Sequence, residues 1–149
     1  MLRILLVEDN PADAQMLETA IAKTAFPVEI TVLDDGAKAI DYLTASNGHY
    51  HCDVVLLDLN LPRLSGFDVL QTIRGREDLK SLPVVVMSGS TNVDEIRRCY
   101  HAGANSYISK PIQLDEIFGA AARFVAYWSG CVQLPSRNPA ARRAIAQQK

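Results

Sequence analysis

The hydrophobic positions of this chain fall into two rhythms. Five short, largely apolar runs, LRILLV (2–7), VEITVL (28–33), DVVLLD (53–58), PVVVMS (83–88) and NSYIS (105–109), alternate with longer stretches in which apolar residues recur every three or four positions. A run that is apolar on both pleat faces suits a strand covered on both sides, and strands alternating with amphipathic helices specify a parallel sheet with helices on both faces. The first, third and fourth runs have that character and belong at the centre of the sheet. The second and fifth are more polar and read as edges. The predicted fold class is therefore α/β, a five-stranded, doubly wound parallel sheet.

The intervening stretches carry helix punctuation. Asn10 followed by Pro11 gives a cap and a first helical residue, with Ala14, Leu17 and Ile21 on one face. Asp34 or Asp35 opens the second helix, which turns Ala39, Ile40 and Leu43 inward. The third begins near Ser65 and buries Phe67, Leu70 and Ile73. Thr91 with Asp94 three residues on resembles a capping box for the fourth, and Gly103 is placed to end it. The fifth runs from about Gln113 to Trp128 with a stripe of Leu114, Ile117, Phe118, Ala121, Val125 and Trp128. Phe124 and Tyr127 lie off that stripe, as exposed aromatics on a broad face or as part of a subunit interface together with Trp128. Residues 1–130 thus form one domain. Residues 131–149, with Pro135 and Pro139, form a C-terminal extension that has room for a weak terminal helix.

Composition narrows the class. The chain has 149 residues, 48% hydrophobic and 21% charged, the balance of one globular domain with a real core. No apolar run approaches the roughly 18 residues of a membrane span, and no secretion signal opens the chain, so a cytoplasmic protein without membrane contact is expected. Cys52, Cys99 and Cys131 are an odd number without CxxC spacing, which suits free thiols. The net charge is −2, but Arg137, Arg142, Arg143 and Lys149 sit in the extension, leaving 11 basic against 17 acidic side chains in the body. An acidic body argues against nucleic-acid binding; the basic tail is a solvated segment or touches an acidic partner.

Ligands of open parallel sheets bind at the carboxyl ends of the strands, where the strand order reverses. Here those ends carry Glu8 and Asp9 after the first strand, Asp58 after the third, Ser88 after the fourth, and Lys110 with Pro111 after the fifth. Adjacent carboxylates repel unless solvent, a base or a cation compensates them. Hard oxygen ligands in a solvent-facing cleft suit Mg²⁺, which takes one or two carboxylates and keeps waters that a phosphoryl group can replace. Glu8 and Asp9 by themselves read first as an acidic helix-capping turn, and Asp58 as a strand end or an ion-pair partner of Lys110. What favours chemistry is convergence: a carboxylate can accept a phosphoryl group as an acyl phosphate, and such a transfer needs little beyond positioning and positive charge, which Mg²⁺ and Lys110 provide.

These residues resemble the receiver domains of two-component response regulators. The likeness covers about residues 2–129 and includes LLVEDNPAD, VVLLDLNLPRLSGFDVL, PVVVMSGS and AGANSYISKPI in order. The resemblance implies a flavodoxin-like, CheY-like sheet of order 2-1-3-4-5. By it Glu8, Asp9 and Asp58 hold Mg²⁺ together with the backbone carbonyl of Asn60, and Asp58 is the phosphoacceptor from a sensor histidine kinase. Ser88 would hydrogen-bond the phosphoryl group, Lys110 would pair with it, and a cis peptide before Pro111 would aim the lysine. Tyr107 falls at the aromatic switch position coupled to Ser88, and Asn60 and Ser90 sit where receivers tune dephosphorylation. Such domains are signalling modules that promote their own phosphorylation and dephosphorylation. The chain ends too soon for an output domain, so output by contact is expected. The FVAYW segment and the VQLP extension are similar to single-domain regulators that partner bacterial phytochrome histidine kinases, often as homodimers. That likeness implies a dimer through the fourth helix, fifth strand, fifth helix and the extension.

Competing readings fit less well. A haloacid-dehalogenase-type phosphohydrolase wants a second acid two residues after its nucleophile, where this chain has Asn60, and a nucleophile on the first strand. A flavodoxin-like cofactor carrier needs a phosphate loop where Glu8 and Asp9 would repel the phosphate. A hydrolase elbow around VMSGS meets Val86 at the first glycine position. Zinc at HYHC (49–52) lacks further ligands.

Overall fold

A computed structural model describes residues 1–45 and 51–135. Along the chain run β1 (Leu2–Val7), α1 (Pro11–Ala22), β2 (Val28–Leu33), α2 (Gly36–Thr44), β3 (Val54–Leu57), α3 (Gly66–Gly75), β4 (Val84–Ser88), α4 (Val93–His101), β5 (Ser106–Ser109) and α5 (Leu114–Ala126). A π-helical turn, Tyr127–Cys131, extends α5. The strands form one parallel sheet in the order β2-β1-β3-β4-β5, which puts the two more polar runs at the edges.

Alternation along the central strands splits the core in two. Leu2, Ile4, Leu6, Val54, Leu56, Val85 and Met87 face α1 and α5, meeting Leu17, Ile21, Ala121 and Val125. Leu5, Val7, Val55, Leu57, Val84 and Val86 face the opposite layer, meeting Leu43 of α2, Leu70 and Ile73 of α3 and Cys99 of α4. Every residue of β3 and β4 is buried, which explains why those runs lack a polar alternation.

Most caps lie where the sequence put them. Asn10 Oδ1 accepts the N–H groups of Ala12 and Asp13 at 3.0 and 3.1 Å. Asp35, not Asp34, caps α2. The reciprocal capping box belongs to α3, between Ser65 and Asp68, and not to α4. There the cap is Asn92, whose Oδ1 accepts the Glu95 N–H at 3.1 Å, so the helix starts one residue later than Thr91 would set it. Gly103, φ 102°, follows the last turn of α4 as expected.

The reading of α5 needs two corrections. Leu114 is exposed, because it sits at the first turn, before the helix reaches the sheet. Phe124, assigned to an outer surface, is only 6% exposed. Positions 121, 124, 125 and 128 form one i, i+3, i+4, i+7 stripe, and Phe124 packs in the α1–α5 core with the Trp128 ring 6.3 Å away. Tyr127 is exposed and stacks edge-on against Trp128, while Leu134 of the extension folds back onto the same core. Cys52 and Cys99 are buried free thiols and Cys131 is an exposed one. His49, Tyr50 and the basic residues from Arg137 onward lie outside the described residues. Among the described residues no helix is long and apolar enough to cross a membrane.

Candidate phosphoacceptor and metal site

The chain leaves β1 for the β2 side of the sheet and returns to build β3 on the other side, so a crevice opens between the carboxyl ends of β1 and β3. Glu8 and Asp9 stand on one wall and Asp58 on the other. One carboxylate oxygen from each lies within 4.8 Å of the other two. Glu8 and Asp58 are buried and Asp9 is exposed, so the cluster has a dry floor and a wet mouth.

Lys110 enters from the end of β5 and reaches three acids. Its Nζ lies 2.7 Å from Glu8 Oε2, 3.2 Å from Asp58 Oδ2 and 3.5 Å from Asp13 Oδ2. Burial pushes the Glu8 carboxyl above its ordinary pKa, against the pull of its bond to Lys110, and the Asp58 charge raises it further. Burial also opposes the Lys110 ammonium, but its bond to Glu8 and the charges of Asp58 and Glu8 outweigh that, holding its pKa above the usual lysine value. One ammonium is therefore shared by three carboxylates, with Asp9 as a fourth acid in the cluster. A divalent cation suits this donor set, because three hard oxygens on two walls of an open crevice leave room for water and a further ligand.

The neighbouring groups are bound into the same crevice. Asn60 donates its N–H to Asp58 Oδ1 at 3.2 Å, and Asn10 does the same to Glu8 Oε1 at 3.2 Å. Gly66 fits tightly beneath: a Cβ there would run into the Asp58 carbonyl oxygen. Ser88 is fully buried; its carbonyl accepts the Lys110 N–H at 2.7 Å, and its Oγ accepts the Ser90 N–H at 3.4 Å. The half-buried Tyr107 donates its hydroxyl to the Ser90 carbonyl at 2.7 Å, while its N–H donates to the Tyr100 hydroxyl at 3.1 Å. Tyr107 thereby links the segment before α4 to the last turn of that helix.

The expected cis peptide is not found: the Lys110–Pro111 bond is trans. Trans is the lower-energy form of an X–Pro bond by about 0.5–1 kcal/mol, and Lys110 already reaches the crevice through its backbone bond to Ser88. Sequence reasoning also missed Asp13. It lies in the first turn of α1, and its approach to Lys110 could be found only by pairing the start of that helix with the end of β5.

A doubly wound parallel sheet with an acid cluster at its switch point and a lysine beside it defines a flavodoxin-like receiver fold. The response regulator receiver domain matches residues 4–122, and the chain belongs to that family. It is 39% identical over 134 residues to the probable methanogenesis regulatory protein FilR2 of Methanothrix harundinacea (strain 6Ac), covering 89% of this chain and 86% of that protein. It is 33% identical over 136 residues to response regulator Rcp1 of Synechocystis sp., covering 89% and 92% respectively. The solved Mn²⁺-bound form of Rcp1 superposes with a TM-score of 0.82 at 32% identity, over 91% of this chain and all (100%) of that one. The phosphorylated cyanobacterial phytochrome response regulator RcpA superposes with a TM-score of 0.83 at 37% identity, over 91% and 99%. The protein is a receiver-type response regulator similar to phytochrome response regulators.

Proposed function

We propose that the protein takes a phosphoryl group onto Asp58 from the phosphohistidine of a sensor histidine kinase, in a Mg²⁺-dependent step, and signals by a change of surface. The single observation that carries this reading is the meeting of Glu8, Asp9 and Asp58 within 4.8 Å at the switch point, with the Lys110 ammonium 3.2 Å from Asp58. Glu8, Asp9, Asp58 and the Asn60 carbonyl are the residues that would hold the ion. Bound there, it supplies positive charge against the phosphoryl oxygens.

The protein's own groups do the rest. An Asp58 carboxylate oxygen attacks phosphorus, the P–N bond of the phosphohistidine breaks, and its electron pair returns to the imidazole nitrogen. Lys110 pairs with the anion that results, and the Ser88 hydroxyl turns to donate to it. Ser88 carries the Ser90 segment, so movement toward the phosphoryl group is felt by Tyr107 through the Ser90 carbonyl and then by α4, β5 and α5. Asn60 and Ser90 border the path of an attacking water and set the lifetime of the acyl phosphate. In this reading residues 1–130 are the receiver unit, and 131–149 extend it.

The likeness to a phytochrome response regulator supports a phytochrome-type kinase as the donor. The exposed Tyr100, Ile112, Leu114 and Tyr127 support a homodimer through α4, β5, α5 and the extension, with Phe124 as its packed underside. Two experiments test the reading. Incubation with phosphoramidate should label the wild-type protein only with Mg²⁺ present and should leave Asp58→Asn unlabelled, as read by intact mass; label retained in that variant would refute Asp58 as the acceptor. Sedimentation at micromolar concentration, with and without phosphorylation, should show a dimer in at least one state, and a monomer in both removes the dimer.

A further inference from the structure

The loop between β3 and α3, residues 58–65, runs past the crevice and brings Asn60 to it. Its far end is held by a contact that the phosphotransfer chemistry does not use. Arg63 has φ 63° and is the one non-glycine with positive φ among the described residues. That region is sterically unfavourable for an arginine, so something else must hold the residue there. Its guanidinium is 2.7 Å from Asp35 Oδ2. Asp35 is buried, and its other oxygen accepts the N–H groups of Ala37 and Lys38 at 2.7 and 3.2 Å, so the carboxylate cannot follow a moving arginine. The next turn is clamped as well: a Cβ at Gly36 would lie 2.7 Å from the Leu64 carbonyl oxygen. The loop is thus fixed at Asp58 on one side and at the start of α2 on the other, with Asn60 strung between.

We infer that Arg63 is a positioning residue for the crevice, whose ion pair with Asp35 holds the 59–64 loop so that the Asn60 carbonyl stays available to a divalent cation at Glu8, Asp9 and Asp58. The inference rests on the proposed metal site and names the device that tunes it. A pair whose arginine side chain is 84% exposed gives only a modest interaction, so the effect expected is about three- to fivefold in cation affinity and not a loss of binding.

Calorimetry with Mg²⁺ alone, on the full chain, tests this. Arg63→Ala and Arg63→Gly should both weaken uptake by about three- to fivefold, Arg63→Lys should recover part of it, and Asp35→Asn should weaken it alike. Combining Asp35→Asn with Arg63→Gly should weaken it no further than either change does separately. Glycine separates two causes, since it relieves the positive φ while removing the guanidinium. If Arg63→Gly binds Mg²⁺ as the wild type does, backbone conformation alone sets the loop and the inference falls. It falls equally if the two single losses add in the double variant. Absence of Mg²⁺ uptake by the wild-type protein would instead overturn the metal site itself.

Discussion

The two ends of the sheet handle a basic side chain in opposite ways. At the amino ends of β4 and β5, Arg74 of α3 donates to the carbonyls of Gly103, Lys80 and Leu82 at 2.8, 3.1 and 2.7 Å and to Asn105 Oδ1 at 2.8 Å. Asn105 in turn accepts the Val84 N–H, so one guanidinium ties together α3, the approach to β4 and the approach to β5. These are bonds to neutral acceptors in a fixed planar fork, and they staple loops. At the carboxyl ends Lys110 meets charged acceptors instead, and too many of them. A point charge on a flexible stem can shift among several oxygens as they change their charge. The amino end spends its cation on structure; the carboxyl end keeps an electrostatic deficit that a second cation can fill.

That contrast can be broken at either end. The largest effect is expected at the structural one: Arg74→Ala should cost about 2–3 kcal/mol in urea unfolding, through its lost bonds to half-buried carbonyls, while phosphoramidate labelling of Asp58 stays unchanged in the folded protein. At the other end, Lys110→Ala should cost about 2 kcal/mol without Mg²⁺, short of the roughly 3–5 kcal/mol for breaking a fully buried pair, because the Lys110 side chain remains 21% exposed. Saturating Mg²⁺ should recover part of that loss, a rescue that Arg74→Ala must not show. If Mg²⁺ restores both variants alike, the two ends do not differ in how they use their cation.

The smallest effect concerns pH. Burial holds the Glu8 carboxyl above its ordinary value of 4.5, so around and above that value the folded protein retains a proton there that the unfolded chain has lost. Its contribution is fully present below pH 4.5 and is lost as pH rises through the raised folded value. The thermal midpoint of the Mg²⁺-free protein should decline across that window, and Glu8→Gln should flatten the decline. An unchanged slope in the variant would assign the dependence to other groups.

How much of this could be read beforehand differs from element to element. The uninterrupted apolarity of residues 54–57 and 84–87 announced strands covered on both faces, and the polar admixture of 28–33 and 106–109 announced edges. Glu8, Asp58 and Lys110 were recognisable because each directly follows a strand, and Ser88 because it ends one. The errors are of another kind. Thr91 and Asn92 are both competent caps, and the choice falls to Asn92, whose carbonyl accepts the Ile96 N–H and whose side chain accepts the Glu95 N–H while its own N–H is held by the Ser90 hydroxyl. Phe124 was misplaced because a wide helix face contains two overlapping stripes, and only docking against α1 selects between them.

The sequence by itself determined where strands and helices run, which strands lie inside, and which reactive groups stand at strand ends, because periodicity and capping act within a few residues. Only the tertiary structure decided that Lys110 meets Glu8 across 102 positions, that Asp13 joins them, that Arg63 pairs with Asp35 across 28, and that Phe124 is core. Those meetings depend on strand order and register, which are set by burying two apolar faces at once and leave no mark on any short stretch of chain.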